Sequence, residues 1–219
     1  MSGDRASALN LVMLGPPGAG KGTQAERFAL KHGVPKISTG DILREAVAAN
    51  SEMGAAAKKV MDAGRLVGDD IMIGIVSERL ARLDAKAGFV LDGFPRTVRQ
   101  AHALDGMLGS QPLVVVDIVV PEDVLVRRLA SRRMCAKCGH SALPEEKDCP
   151  KCGGELVVRV DDSAGIVSER LRVYMEQTAP IVEFYRDRSG FRAIDGTATP
   201  EQVQAAICAA VTAVAGGVA

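Results

Sequence analysis

Gly15-Pro-Pro-Gly-Ala-Gly-Lys21-Gly-Thr23 lies between an apolar run, Leu9-Asn-Leu-Val-Met-Leu14, and a stretch in which Ala25, Phe28 and Ala29 share one helical face. A buried strand, a glycine loop and a helix N-terminus in that order form an anion cradle. The glycines let backbone N–H groups turn inward against phosphate oxygens. The helix end adds partial positive charge, and Lys21 adds a full one. Gly15, Pro16, Pro17, Gly18, Ala19, Gly20, Lys21, Gly22 and Thr23 are therefore the expected phosphate-binding residues of a nucleotide site.

The alternation of strand and helix continues outward from this loop. Apolar runs at Leu9–Leu14, Phe89–Leu91 and Leu113–Val120 read as buried strands, with shorter candidates at Pro35–Ile37 and Phe191–Ile194. Helical patterns cover Lys21–Lys31, Gly40–Ala49, Gly54–Ala63, Asp70–Arg82, Val98–Leu108, Pro121–Ser131, Ser168–Gln177, Ala179–Asp187 and Pro200–Ala213. The fold class is α/β: a P-loop-type parallel sheet with helices on both faces and its ligands at the carboxyl ends of the strands. Two segments break the alternation. Ser38 to Val67 is helical between the first strands, and Ser131 to Asp162 is rich in cysteine and turns. Both are expected as inserts on the binding side, residues 38–67 and 131–162, of a core made from 1–37, 68–130 and 163–219.

At 219 residues and 47% hydrophobic, the chain can bury a sizeable core. Lys plus Arg and Asp plus Glu balance at 27 each, so no bulk field draws it to nucleic acid or membrane. Trp is absent, and two Tyr and five Phe argue against base-stacking platforms. The excess of Arg over Lys suits phosphate clamping. No apolar run approaches the ~20 residues of a membrane span, and Met1 to Ala8 has no signal-peptide core. A soluble, cytoplasmic monomer is expected. Val211 to Ala219 is small and weakly patterned, and is expected to fray.

Phe89-Val-Leu-Asp92-Gly-Phe-Pro-Arg96 places a carboxylate at the tip of a buried strand. Asp92 there is suited to hold Mg²⁺, directly or through water, beside the loop's phosphates. The Gly-Phe-Pro turn then aims Arg96 at the same crevice. In the glycine loop, Gly22 follows Lys21 where many P-loops carry Ser or Thr, and Thr23 brings a hydroxyl one residue later. That shift points away from GTPases and motor ATPases and towards small nucleotide kinases.

Gly-Lys-Gly-Thr-Gln-Ala, Ile37-Ser-Thr-Gly-Asp41-Ile-Leu-Arg44, Asp92-Gly-Phe-Pro-Arg96-Thr and Asp195-Gly-Thr together resemble the adenylate kinase family, from about Leu9 to Val211. The resemblance implies reversible phosphoryl transfer from MgATP to AMP, with residues 38–67 binding the acceptor and 131–162 forming a lid. It implies that Lys21 holds the phosphates of ATP and that Arg44 and Arg96 grip the AMP phosphate. Thr39, Arg65, Leu66, Val67, Gly93 and Gln100 would form the rest of the AMP site. Arg132 would reach the donor phosphates, Arg159 and Arg170 would fold in with the lid, and Arg128 would stack on the ATP adenine. Lys21, Arg96, Arg132, Arg159 and Arg170 are the implied catalytic set, and Thr23 and Asp92 would order the Mg²⁺ hydration shell. Another nucleoside monophosphate kinase, a GTP-using variant, or a knuckle-based nucleic-acid module are the alternatives. Against the last, Leu143-Pro-Glu-Glu-Lys-Asp148 is acidic.

Cys135-Ala-Lys-Cys138 and Cys149-Pro-Lys-Cys152 are two Cys-x-x-Cys knuckles, each followed by Gly. Four thiolates from two knuckles suit a closed, structural tetrahedral Zn²⁺ site, with iron or two disulfides as alternatives. His140 is then a neighbour of the metal, not a ligand. Cys208 is expected as a small buried apolar residue. Some adenylate kinases carry such a lid, but only ten residues separate these knuckles, without the usual aromatic and proline-rich stretch.

Overall fold

The computed structural model describes residues 9–143 and 145–216. Strands β1 (Leu9–Leu14), β2 (Lys36–Ser38), β3 (Gly88–Asp92) and β4 (Leu113–Val119) join one sheet with Phe191–Asp195. Two further strands, β5 (Arg133–Cys135) and β6 (Leu156–Val158), pair separately, which makes Phe191–Asp195 β7. The main sheet has the order β2-β3-β1-β4-β7 and is parallel throughout. Central β1 sets Leu11 against Val90 on one side and Val114 on the other. Its residues from Asn10 to Leu14 are all buried, as a strand covered on both faces requires.

The pleat sends alternate side chains into two cores. Leu11, Met13 and Val116 pack with Phe28 and Ile207 on one face. Val12, Leu14 and Val115 pack with Leu104, Ile181 and Tyr185 on the other. Phe28 belongs to α1 (Lys21–His32). After β2 come α2 (Thr39–Ala48), α3 (Glu52–Asp62) and α4 (Asp69–Leu80). Leu104 is on α5 (Val98–Leu108), and α6 (Glu122–Ala130) follows β4. The chain ends with α7 (Ala164–Val173), α8 (Pro180–Arg186) and α9 (Pro200–Gly216), the last carrying Ile207. Side-chain oxygens of Ser38, Ser51 and Thr97 accept the N–H of Asp41, Gly54 and Gln100, which starts α2, α3 and α5 where turn-forming residues precede apolar periodicity.

The structure departs from the sequence reading in three places. The antiparallel pair β5 and β6 was not expected, because each strand is three residues long and too short to show alternation. The helix expected from Ser168 starts at Ala164 and is joined to α8 by a π-helical turn, Tyr174–Thr178, in which the Ala179 N–H donates to Tyr174 O at 2.8 Å. An α-turn would drive the Pro180 ring into a preceding carbonyl, and the wider turn avoids that clash. Finally, α9 continues to Gly216 where fraying was expected, held by Val211, which is buried against the sheet. Residues 1–8 and 217–219, the subject of the remaining terminal expectations, lie outside the described residues.

Phe28 is fully buried while Leu30, on the same helix, is 77% exposed. Phe28→Ala is expected to cost about 3–5 kcal/mol in urea unfolding, and Leu30→Ala no more than about 0.5 kcal/mol. Equal losses would contradict the assignment of the α1 face.

Candidate active site

The glycine loop connects the end of β1 to the start of α1. Gly15 has φ +132°, and a Cβ there would stand 2.7 Å from the Ile118 carbonyl oxygen, so only glycine lets the loop lie against β4. Lys21 folds back over this loop, its Nζ donating to Gly15 O at 2.7 Å and Pro16 O at 2.8 Å. Burial draws its pKa down from 10.5 to about 7. Asp92 opposes the shift, and Arg96, Arg170 and Arg132 reinforce it.

Asp92 ends β3 beside the N-terminus of α1, close enough that a Cβ on Gly22 would lie 3.2 Å from its Oδ2. The next residue, Gly93, has φ +82° and no room for a side chain, since Thr39 Oγ1 would be 2.8 Å from the added Cβ. Its carbonyl oxygen accepts from Thr39 Oγ1 at 2.8 Å and from Arg96 Nε at 2.9 Å, so one backbone group anchors both. Burial lowers the pKa of Arg96, with Arg44 and Arg159 adding repulsion and Asp92 countering it.

Three further arginines converge from separate elements. Arg132 follows α6, Arg159 precedes a 3-10 turn at Val160–Asp162, and Arg170 lies on α7. Arg132 Nε and Nη2 donate to the Asp162 carboxylate at 2.7 and 2.6 Å, and Arg170 Nη1 joins at 2.6 Å. Arg159 Nε donates to Asp161 at 2.9 Å. Burial pushes the Asp161 pKa up, but Arg159 and then Arg170 outweigh it and bring it to about 2. Neither carboxylate was given a role from sequence. The available signal was two consecutive acids next to Arg159 in an otherwise turn-rich segment. Asp117 was missed as well, because it interrupts an apolar strand without any motif. It is buried within β4, two residues before the strand ends, one oxygen lacks a hydrogen-bond partner, and burial raises its pKa.

Two cavities open on these groups. One is lined by Thr39, Arg44, Arg65, Leu66, Val67, Gly93, Arg96, Gln100, Arg159 and Arg170, together with Gly15 and Lys21. The other is lined by Pro17, Gly18, Gly20, Lys21, Gly22, Thr23, Asp92, Arg128 and Arg132. Lys21, Arg44, Arg96, Arg159 and Arg170 line both. Two loop residues lie apart from this junction: Pro16 borders a third cavity, and Ala19 is packed in the core. Arg44 is paired with Asp41, while Arg65 is exposed, 4.0 Å from Glu169. Arg128 Nη2 donates to Gly196 O at 2.9 Å, against the loop that follows β7.

The four knuckle sulfurs lie within 4.8 Å of one another. Cys135 and Cys152 are 3.5 Å apart at Sγ, and Cys138 and Cys149 are 3.4 Å apart. Those separations are far beyond a disulfide bond of about 2.05 Å. They approach the ~3.8 Å edge of a tetrahedron with metal–sulfur bonds of about 2.3 Å, so the cluster fits a thiolate-bound metal. The Lys137 N–H donates to Cys135 Sγ at 3.4 Å, which favours the thiolate. His140 faces Glu146 at 3.2 Å instead of entering the cluster. Cys208 is not the buried apolar residue expected. It is half-buried, and its sulfur accepts from Lys31 Nζ at 3.5 Å because the basic last turn of α1 packs over α9.

Lys151 of the second knuckle pairs with Glu26 on α1, and a Cβ on Gly64, just after α3, would meet Ile166 and Arg170 of α7. The adenylate kinase family model matches residues 13–190. The chain belongs to the adenylate kinase family. It is 50% identical to an adenylate kinase of Archaeoglobus fulgidus over 89% of this chain and 94% of that one. It is 47% identical to that of Kosmotoga olearia over 89% and 95%, and 48% identical to that of Citrifermentans bemidjiense over 94% and 100%. Its function is that of an ATP:AMP phosphotransferase acting on nucleotide substrates, with Mg²⁺ accompanying ATP. No helix among the described residues is long and apolar enough to cross a membrane.

The Lys21 pKa gives a signed expectation. With the folded value of about 7 below the unfolded 10.5, the buried charge costs stability in full below about pH 7. The cost fades as pH rises towards 10.5. Lys21→Met is expected to raise the Tm of the nucleotide-free protein at about pH 6.5 and much less at about pH 10. The same Tm change at both pH values would contradict this.

Proposed function

We propose that this adenylate kinase works through the residues that join its two cavities. The loop amides from Gly15 to Thr23 and the Lys21 ammonium hold the donor phosphates, with Arg132 reaching the same group. Arg44 and Arg96 hold the AMP phosphate. Thr39, Arg65, Leu66, Val67, Gly93 and Gln100 complete the acceptor pocket, and Arg128 stacks on the donor base. The observation that carries this reading is the shared wall of Lys21, Arg44, Arg96, Arg159 and Arg170, which sets five basic side chains between two adjoining cavities.

Phosphoryl transfer asks for alignment and charge neutralisation more than covalent chemistry. An AMP phosphate oxygen attacks the γ-phosphorus in line, and ADP leaves from the opposite side. Arg159 and Arg170 meet the charge that spreads over the equatorial oxygens. Before substrate arrives, Asp161 and Asp162 hold these guanidinium groups near their working positions. Thr23 and Asp92 would hold Mg²⁺ through its water shell, and the ion would supply charge neutralisation at the phosphates. Residues 38–67 act as the acceptor insert and 131–162 as the lid, and their closure keeps water from acting as acceptor. Cys135, Cys138, Cys149 and Cys152 would hold Zn²⁺. Four protein ligands would leave no open position, so the metal would staple the lid without activating water. The protein acts as a cytoplasmic monomer on this reading.

Arg96→Ala is expected to retain the wild-type circular dichroism spectrum and lose about 10³–10⁵ in turnover, the range for arginines that neutralise a transferring phosphoryl group. Activity within a few-fold of wild type would remove Arg96 from the mechanism. Stripping the metal is expected to lower Tm at concentrations of chelator that leave residual turnover. An unchanged Tm in metal-free protein would reject the staple.

A further inference from the structure

We infer that Asp69 sets the choice of acceptor base by locking the side-chain amide of Gln100; the inference rests on the acceptor site proposed above. Gln100 is 2% exposed and lines the acceptor cavity from the first turn of α5. The protein holds both ends of its amide. Oε1 accepts the Arg96 N–H at 2.8 Å, and Nε2 donates to Asp69 Oδ1 at 2.8 Å. A backbone N–H cannot be met by an NH₂ group, nor a carboxylate by a carbonyl. Both contacts therefore favour the same orientation, and the lock needs the two together. Asp69 is held in turn. Its Oδ2 accepts from Thr97 Oγ1 at 3.0 Å, and it occupies the first turn of α4, where free amides favour a carboxylate.

Nε2 has two hydrogens, and Asp69 takes one. The other is a fixed donor available to the bound base. Adenine presents an acceptor at N1, whereas hypoxanthine and guanine carry a hydrogen there. A locked donor pairs with the first and opposes the other two. A freely turning Gln100 would accommodate all three, because the flipped amide offers its carbonyl to N1–H. Flipping is blocked because it would leave the Arg96 N–H and the Asp69 carboxylate unpaired together in a buried setting. Asp69 touches no substrate and acts as a positioning residue.

The experiment begins with the wild-type protein, MgATP and three acceptors: the monophosphates of adenosine, inosine and guanosine. A wild type that does not prefer AMP overturns the acceptor reading itself. Given that preference, Asp69→Ala is expected to lower kcat/KM for AMP about tenfold through KM, with kcat within about twofold. It is also expected to shrink the AMP-over-IMP preference about tenfold, the order of one buried hydrogen bond. Asp69→Asn keeps a hydrogen bond to Gln100 but, able to donate as well as accept, no longer selects its orientation, and should lose the preference as the alanine variant does. Asp70→Ala, which removes an exposed partner of Arg99 and not of Gln100, should leave both readouts unchanged. If the alanine variant is poorly folded, Asp69→Ser keeps a good helix-starting residue but is too short to reach Nε2. A folded variant without the lock that slows AMP and IMP equally, or neither, overturns the inference.

Discussion

Positive charge buried beyond what nearby carboxylates can balance is the constraint on which the rest of this molecule depends. Lys21 lies within the fields of Arg96, Arg132 and Arg170, with Asp92 as its counterweight, and burial alone already disfavours its charge. Arg96 is in a similar position. Asp161 and Asp162 relieve part of the strain by gathering Arg132, Arg159 and Arg170, yet Lys21 is left to donate to two loop carbonyls. A polyphosphate carries the charge this arrangement lacks. The site is thus built for its substrate at the expense of the empty state, the usual relation between a binding site and stability.

Holding such a cluster together takes a rigid frame. The parallel sheet supplies it, because the adjacent strands β1 and β3 end at the same edge and deliver the glycine loop and Asp92 there. Further charge comes from outside the sheet: Asp162 ties Arg170 of α7 to Arg132 after α6, and Arg159 lies beside them. The four clustered cysteines and the antiparallel β5–β6 pair tie together a segment that has few apolar residues to pack.

Much of this was legible in the residues. The glycine loop, the strand ending in Asp92 and the alternation of apolar runs with helical patterns carry both the fold and the position of the site, because each is a local pattern with one geometric consequence. The paired knuckles were equally plain. What escaped was non-local or too short to pattern. Three-residue strands show no periodicity. Asp69 and Gln100 are 31 positions apart and meet only when α4 packs on α5. Asp162 looks like any acid in a loop until three arginines from separate elements close on it. The sequence pattern runs Tyr174–Gln177 into the preceding helix and breaks only at Thr178, because a proline ends the α pattern without saying whether the turns before it widen. Cys208 was misjudged for a similar reason: its neighbours come from α1, far away in sequence.

The proton balance of ATP binding tests the buried charge most directly. Calorimetric titration of the protein with MgATP, repeated in buffers of different ionisation enthalpy, counts protons taken up or released. Phosphate beside Lys21 restores its charged form, so the account predicts uptake approaching about one proton near pH 8, falling towards zero below about pH 6. No uptake near pH 8 would mean that Lys21 is fully charged in the empty site, and would contradict the account at its centre.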